Sequence, residues 1–276
     1  MKATVIMDNC VYHGRTMKAE PGMSLLLEEE GRKILVDVGV SGATVDNLVA
    51  LGVHPREVDA LVISHGHWDH TGGLERLLTA ACKSLPVYIH PLAFQERYSL
   101  SGDQHKHVGI PFHRESLASL GAEFHWVDMP FAVTDKLWVS GSVPRIFPGE
   151  SGDPNLVLPG SAGWVNDTVA DDMSLFYKGE QGLTVISGCA HAGLRNTVAY
   201  GLQVTGCERL HGWIGGTHLG MVNREQQQMT MEALAAWQPL FIAANHCTGF
   251  PMQAELSRRF PASFRAMAVG TTLEWN

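Results

Sequence analysis

Nothing in this sequence offers a disulfide framework. Its 276 residues include only five cysteines (Cys10, Cys82, Cys189, Cys207 and Cys247), an odd number with no CxxC pair. That argues against a stapled secreted scaffold and for a reducing, cytoplasmic setting. Long apolar runs are missing too. None reaches the roughly 18 residues of a membrane span, and the opening MKATVIMDNC is too poor in apolar residues for a signal peptide and reads as a first strand. There is no long basic run: the formal charge is −8 with both signs mixed along the chain. Nucleic acid is therefore not the expected partner. Nor does a low-complexity linker divide the chain, so one domain over 1–276 is expected. The 45% hydrophobic and 17% charged residues suit a folded protein with a sizeable core. One residue type is in surplus: there are 14 histidines, several of them in glycine-rich surroundings.

Strand and helix signals alternate. KATVIM (2–7), SLLLEE (24–29) and KILVDVG (33–39) read as strands. SGATVDNLVALG (41–52) reads as a helix with a Ser start and a Gly stop. DALVIS (59–64) is a short, nearly continuous apolar strand of the kind buried on both faces, followed by a helix over 73–82 and the strand PVYIH (86–90). Residues 91–170 are less regular, with a few strands such as KLWVSG (136–141), and an irregular insertion or lid is expected across 95–115 and 144–170. From 172 the pattern returns: MSLFYK, LTVISG, a helix near 193–205, LHGWIGG, a helix near 224–236, LFIAANH and FRAMAVG. The class is α/β, with a theme of strand, His-bearing loop and helix repeated in both halves.

LVISHGHWDHTGG (61–73) carries the chemistry. His65 and His67 alternate in an extended loop and can close on one metal ion. Asp69 and His70 sit next to a turn and can face a second point. Neutral imidazole with carboxylate suits Zn²⁺, Fe²⁺ or Mn²⁺ better than Ca²⁺ or Mg²⁺. Gly66 would let the loop bend, and Gly72 and Gly73 would let backbone pass close to the metal. Four ligands from one loop cannot complete two shells. Three later strands end in His beside Gly: VISGCAHAG (His191), WIGGTHLG (His218) and IAANHCTG (His246). Strand ends are where an α/β fold collects its site residues. His191 and His246 are expected as ligands. His218 can be a ligand, a substrate contact, a proton-transfer group or a structural histidine. His90 lines the pocket or is structural. Cys189 can be a thiolate ligand, although a buried free thiol is the commoner case. Asp171 and Asp172 read best as a solvated strand start or as partners behind the metal ligands, with a metal bridge as the third reading. Asp37 is expected to orient the His65–His70 loop through hydrogen bonds.

LVDVG followed by SHGHWDHTGG resembles the metallo-β-lactamase superfamily. MSLLLEEEGRKILVDVG, GSVPR, ISGCAHAGLRNT, IGGTHL and NHCTG are similar to its branch named after 7,8-dihydropterin-6-methyl-4-(β-D-ribofuranosyl)-aminobenzene-5′-phosphate synthase. The resemblance implies a four-layer αβ/βα sandwich with metals at one edge of two sheets. It also implies His65, His67 and His191 at one metal, and Asp69, His70 and His246 at the other. GSVPR stands where the superfamily has a Pro-Gly-His loop, and SGCAH where it has a separate bridging Asp. His191 can fill either role, and the bridging residue is left open.

The expected function is a metal-dependent hydrolase using one or two divalent ions (Zn, Fe or Mn) and a metal-activated hydroxide on a small, anionic substrate. Asp69 would hold the hydroxide, while Arg145 or His218 would hold a phosphate or carboxylate. A surface salt bridge is the alternative for Arg145. The branch name implies a second reading, a transferase acting on a phosphoribosyl donor. A non-hydrolytic metal protein is the third. A small molecule is the expected partner, and homo-oligomerisation stays open.

Overall fold

The computed structural model describes residues 1–12, 16–102, 104–150 and 152–276. The chain divides into two compact units, one formed by Met1–Gln95, Val108–Trp126 and Met267–Asn276, the other by Glu96–His107 and Val127–Ala266. Each unit gathers segments from separate parts of the sequence, so no linker marks where one ends and the other begins.

The first unit is built on a seven-stranded sheet. Its order is Thr272–Glu274, Lys2–Met7, Ser24–Glu29, Arg32–Val36, Ala60–Val62, Leu85–Ile89 and Ala122–Trp126. Pairing is antiparallel up to Arg32–Val36 and parallel from there on. Parallel neighbours need crossovers, and the helices Ala43–Ala50, Leu74–Ala81 and Arg114–Ser119 supply them. In LERLLTAA the buried residues Leu74, Leu77, Leu78 and Ala81 share one helical face. They pack with Ile6, Leu35, Leu61 and Val87 from the sheet. The helix near 41–52 begins two residues later than its Ser suggested: Gly42 is the N-cap, and Ser41 Oγ accepts from the N–H of Ala43 at 3.2 Å.

The second unit holds two sheets. The six-stranded one runs Phe241–Asn245, Leu210–Gly216, Gly182–Ser187, Ser174–Gly179, Leu137–Val139 and Phe131–Ala132. The first three of these strands are parallel and the rest antiparallel. Helices Leu194–Thr205 and Arg224–Trp237 connect the parallel strands. The second of them is capped by the Asn223 side chain, which accepts from Gln226 N–H at 2.9 Å. Phe176, Val185, Trp213 and Ile242 anchor the core.

The four-stranded sheet corrects the expectation of an irregular middle. Gly163–Asn166, Leu156–Gly160, Tyr98–Ser101 and Gln104–His107 pair antiparallel throughout. Gln104–His107 and Gly163–Asn166 are exposed along their whole length, so they lack the apolar alternation by which a strand is recognised. Aromatic contacts stand in for it: the Trp164 ring lies 5.1 Å from that of Tyr98 and stacks on His105 at 4.4 Å. Arg97, fully buried beside this sheet, donates to Asp171 Oδ1 at 2.8 Å. FRAMAVG is likewise not a strand. Arg265 and Val269 make single hydrogen bonds to Ile242 O and Cys10 O, and the last strand is Thr272–Glu274.

Among the described residues no helix is long and apolar enough to cross a membrane.

Candidate metal centre

In the first unit, the ends of three consecutive parallel strands carry Asp37, the His65–His70 loop and His90. Asp37 is wholly buried, with a left-handed backbone at φ 57. Its carboxylate collects three bonds of 2.7 Å: Oδ1 accepts Ser64 N–H, while Oδ2 accepts Ser64 O–H and faces His70 Nδ1. This fixes the protons. The Ser64 hydroxyl spends its single hydrogen on Asp37, so at 2.9 Å it must accept from His65 Nδ1–H. His70 likewise donates Nδ1–H to the carboxylate. Both rings are left with a lone pair on Nε2, the form that binds metal.

Those lone pairs point into a tight cluster. His65 Nε2 lies 2.8 Å from His67 Nδ1, and the His65 ring centroid is 4.5 Å from that of His67 and 4.2 Å from that of His70. Asp69 Oδ2 is 3.7 Å from His70 Nε2, on a side chain 23% exposed. A short helical turn, Trp68–Thr71, sets Asp69 and His70 on one side. It is held by Thr71 Oγ1 donating to His67 O at 2.8 Å and by Val38 N–H on His70 O at 2.9 Å. The glycines serve backbone packing here. A Cβ on Gly66 would sit 2.0 Å from Ala93 O, and one on Gly72 2.1 Å from Val40 O. His90 is buried, and its Nδ1 accepts Leu92 N–H at 3.1 Å.

The second unit repeats the plan. His191, His218 and His246 follow the parallel strands Gly182–Ser187, Leu210–Gly216 and Phe241–Asn245, and all three are buried. Ala190, His218 and His246 adopt φ of 57, 54 and 50. With Asp37, they make four of the eight non-glycine residues at positive φ among those described. Such strain, about 1–3 kcal/mol each, persists where surrounding structure enforces it and gathers at functional sites. The rings of His191 and His218 are 4.1 Å apart. Cys189 Sγ, Cys247 Sγ and a ring nitrogen of His218 lie within 4.8 Å of one another.

Asp172 is buried, not solvated, and its Oδ2 accepts Ala192 N–H at 2.9 Å, just past His191. Burial pushes its carboxyl up to about 6, opposed by the backbone N–H groups of Ala192 and His191 and by Arg145. Asp171 is equally buried, as the partner of Arg97. Burial alone would lower the His218 imidazole, but the Cys247 sulfur and the carboxylates of Asp153 and Asp172 raise it. Burial alone would raise the Cys247 thiol, yet hydrogen bonds with Cys189 and His218 and the nearby imidazoles hold it well below its usual value. Among the described residues Arg145 makes no salt bridge: its guanidinium donates to the carbonyls of Thr168 and His191, the latter at 2.9 Å.

Sequence reasoning passed over several supports. Ser64, inside the quoted motif, links Asp37 to His65. Glu150 accepts from Arg195 N–H and Asn196 N–H at the start of helix Leu194–Thr205. Asn196 donates to Ala192 O at 2.8 Å. The helix start Leu194-Arg195-Asn196-Thr197 is polar in any case, and Glu150 lies 46 positions before Asn196, so no local pattern pointed to these roles. The donors of each unit fit a divalent metal: in the first, imidazoles with His65 and His70 fixed from behind and a carboxylate; in the second, imidazoles and thiols. Among the described residues neither set is a cluster of oxygen ligands of the kind that Ca²⁺ prefers.

The chain is similar in sequence and fold to known proteins. The chain is 26% identical over 271 residues to 7,8-dihydropterin-6-methyl-4-(β-D-ribofuranosyl)-aminobenzene-5′-phosphate synthase of Methanocaldococcus jannaschii, covering 93% of this chain and 90% of that protein. The crystal structure of Tm1679, a metal-dependent hydrolase of the β-lactamase superfamily, superposes with a TM-score of 0.85 at 22% identity, covering 100% and 99% of the two chains. Zn²⁺-bound PqqB from Methylobacterium extorquens does so at 0.62 and 13% identity, over the full length of both. Residues 17–136 match the sequence model of the metallo-beta-lactamase superfamily, and the chain shares the fold of these solved structures over its whole length.

Proposed function

We propose that the chain is a metal-dependent hydrolase of a small anionic substrate. His65, His67, Asp69 and His70 of the first unit and His191 and His246 of the second would hold one or two divalent ions. The observation that carries this reading is the proton order around Asp37, which leaves Nε2 of His65 and His70 as lone-pair donors. A divalent ion bound there would supply water of lowered pKa, from 15.7 in bulk towards about 7.

The chain's own residues would do the rest. Asp69 is partly exposed, so its carboxylate can accept a hydrogen bond from the attacking water while still reaching a ligand position. His218, with its raised proton affinity, suits proton donation to a leaving group or contact with an anion. Arg145 is exposed, and beyond its two carbonyl bonds its guanidinium edge suits a phosphate or carboxylate. His90 would line the substrate side of the first unit. Asp37 and Asp172 act from behind the ligands. The net charge of −8 supports a small molecule over nucleic acid as partner.

A transferase is the second reading, favoured by the name of the archaeal relative matched over most of its length. One experiment separates the two. Purified protein is given bis-p-nitrophenyl phosphate with Mn²⁺ or Zn²⁺, and separately a phosphoribosyl pyrophosphate donor with 4-aminobenzoate. Nitrophenol release is expected. Pyrophosphate release in the second mixture alone would replace hydrolase by transferase, and full activity with full metal content in His67→Ala would defeat both.

A further inference from the structure

The second unit holds a sulfur at the hub of its imidazoles. Cys189 is buried, and its Sγ lies within 4.8 Å of a ring nitrogen of His191, of His246 and of His218. We infer that Cys189 is itself a metal ligand, its thiolate binding beside His191 and His246. The inference rests on the metal-dependent reading above and adds to it a ligand of a different class.

Three features support the assignment. First, Cys189 and His191 flank Ala190, whose φ of 57 sharply turns the backbone between the two donors. An L-residue held there costs free energy that the surrounding fold must offset, and bringing both donors to one point gives that conformation a use. Second, the neighbouring strand makes room. A Cβ on Gly216 would meet Gly188 O at 2.2 Å, Cys247 Sγ at 2.6 Å and Cys189 Cα at 3.2 Å, so only glycine lets the two thiol loops approach. Third, a ring nitrogen of His218 lies within 4.8 Å of both sulfurs, on a residue only 8% exposed. A buried imidazole facing two thiols fits a site made for a cation.

Cys247 is the other sulfur, and its surroundings differ. It accepts His218 N–H at 3.3 Å and faces Cys189 O at 3.7 Å, so backbone groups serve both of its hydrogen-bonding roles. It packs against the ligand sulfur and is not assigned as a ligand. A thiolate also narrows the choice of metal. Sulfur is a soft donor, favouring Zn²⁺ over Mn²⁺ at a site whose remaining ligands suit either.

The test replaces the native ion by Co²⁺, which gives an intense near-ultraviolet charge-transfer band only when thiolate is bound. Wild-type protein is expected to show that band. Cys189→Ser and Cys189→Asp are expected to lose it while still binding Co²⁺, and Cys247→Ser to keep it. X-ray absorption of the Zn²⁺-loaded wild type needs no variant, so poor folding of a mutant does not block the test. A sulfur neighbour at about 2.3 Å is expected there. Metal bound with no charge-transfer band and no sulfur neighbour would overturn the inference and leave the hydrolase reading standing. A band that follows Cys247 instead would also overturn it. A wild-type protein that binds no metal at all would remove the reading on which the inference rests.

Discussion

Replacing Asp37 by Asn tests whether the site is organised from behind its ligands. The change is nearly isosteric, and Asn tolerates the left-handed φ of 57 that this position holds. Backbone strain therefore drops out and the hydrogen-bond chemistry is isolated. In the native protein a wholly buried carboxylate accepts from Ser64 N–H, Ser64 O–H and His70 Nδ1–H, each at 2.7 Å. An amide offers one carbonyl and one NH₂. With its oxygen on Ser64 N–H, the NH₂ faces His70 Nδ1, and the imidazole must move its proton to Nε2 to avoid donor against donor. That nitrogen then cannot bind metal. Hydrogen bonds to a charged group contribute about 1.5–3 kcal/mol each. Losing two of them and regaining one amide bond costs on the order of 2–4 kcal/mol, and disturbing such a support typically costs 10- to 100-fold in metal affinity. Urea unfolding of the metal-free protein reads the first quantity and chelator competition the second. An Asp37→Asn protein with wild-type metal affinity would refute the claim that this carboxylate sets the His70 tautomer, whatever happens to stability.

Other perturbations reach other parts of the argument. Gly66→Ala drives a Cβ to within 2.0 Å of Ala93 O, and the backbone shift should cost about 1–3 kcal/mol or more, read as a fall in thermal midpoint. A melt indistinguishable from wild type would show that the loop has slack. Arg97→Ala strands the carboxylates of Asp171 and Asp167 in the interior and should destabilise by about 3–5 kcal/mol, whereas Arg97→Met combined with Asp171→Leu and Asp167→Asn should recover much of that. If the single change is silent, the four-stranded sheet is not tied to its unit through these pairs. Burial, aided by Arg209, lowers the His211 imidazole. Its neutral form therefore favours the fold above its ordinary value near 6.5, and that contribution is lost as pH falls through the depressed folded value. His211→Gln should flatten the acid side of the stability–pH curve, and an unchanged slope would assign that slope to other groups.

What was legible in the sequence follows from what each feature depends on. Strands such as Lys2–Met7, Ser24–Glu29 and Leu210–Gly216 are written in local pattern, and their bounds match the reading from sequence. The imidazole cluster was legible because four donors fall within six residues of one loop. The exposed strands Gln104–His107 and Gly163–Asn166 were not, because no buried face imposes alternation on them. The burial of Asp171 and Asp172 was hidden for a related reason. Paired acids before a strand look solvated unless the partner is known, and for Asp171 that partner is Arg97, 74 positions away. Ser64 shows the subtler limit. Its place in the motif was plain, but its role depends on Asp37, 27 positions earlier, and only the folded pairing of their strands makes one hydroxyl decide which nitrogen of a neighbouring ring carries the proton.

The same dependence explains where the strain lies. A strand delivers its last residue in an extended conformation, with side chains alternating between faces. A ligand has to leave that alternation and turn over the sheet edge. Where glycine occupies the turn this is free of Cβ conflict, as at Gly39 with φ 67, just past the strand Arg32–Val36. Where the turning residue must itself supply chemistry, glycine is ruled out. Asp37, His218 and His246 then adopt the left-handed conformation in spite of their side chains. On the proposed reading, positive φ at these three residues marks the point at which the demand for a polar side chain overrides backbone preference. Ala190 is the informative exception, because it carries no functional group and yet adopts φ 57 between Cys189 and His191. Its conformation serves its neighbours, as expected if both of them are donors. Ala190→Gly should then relieve local strain and raise the stability of the metal-free protein by a few tenths to about 1 kcal/mol. An Ala190→Gly protein less stable than wild type would show that this residue is held by packing of its methyl group and not by the donors on either side.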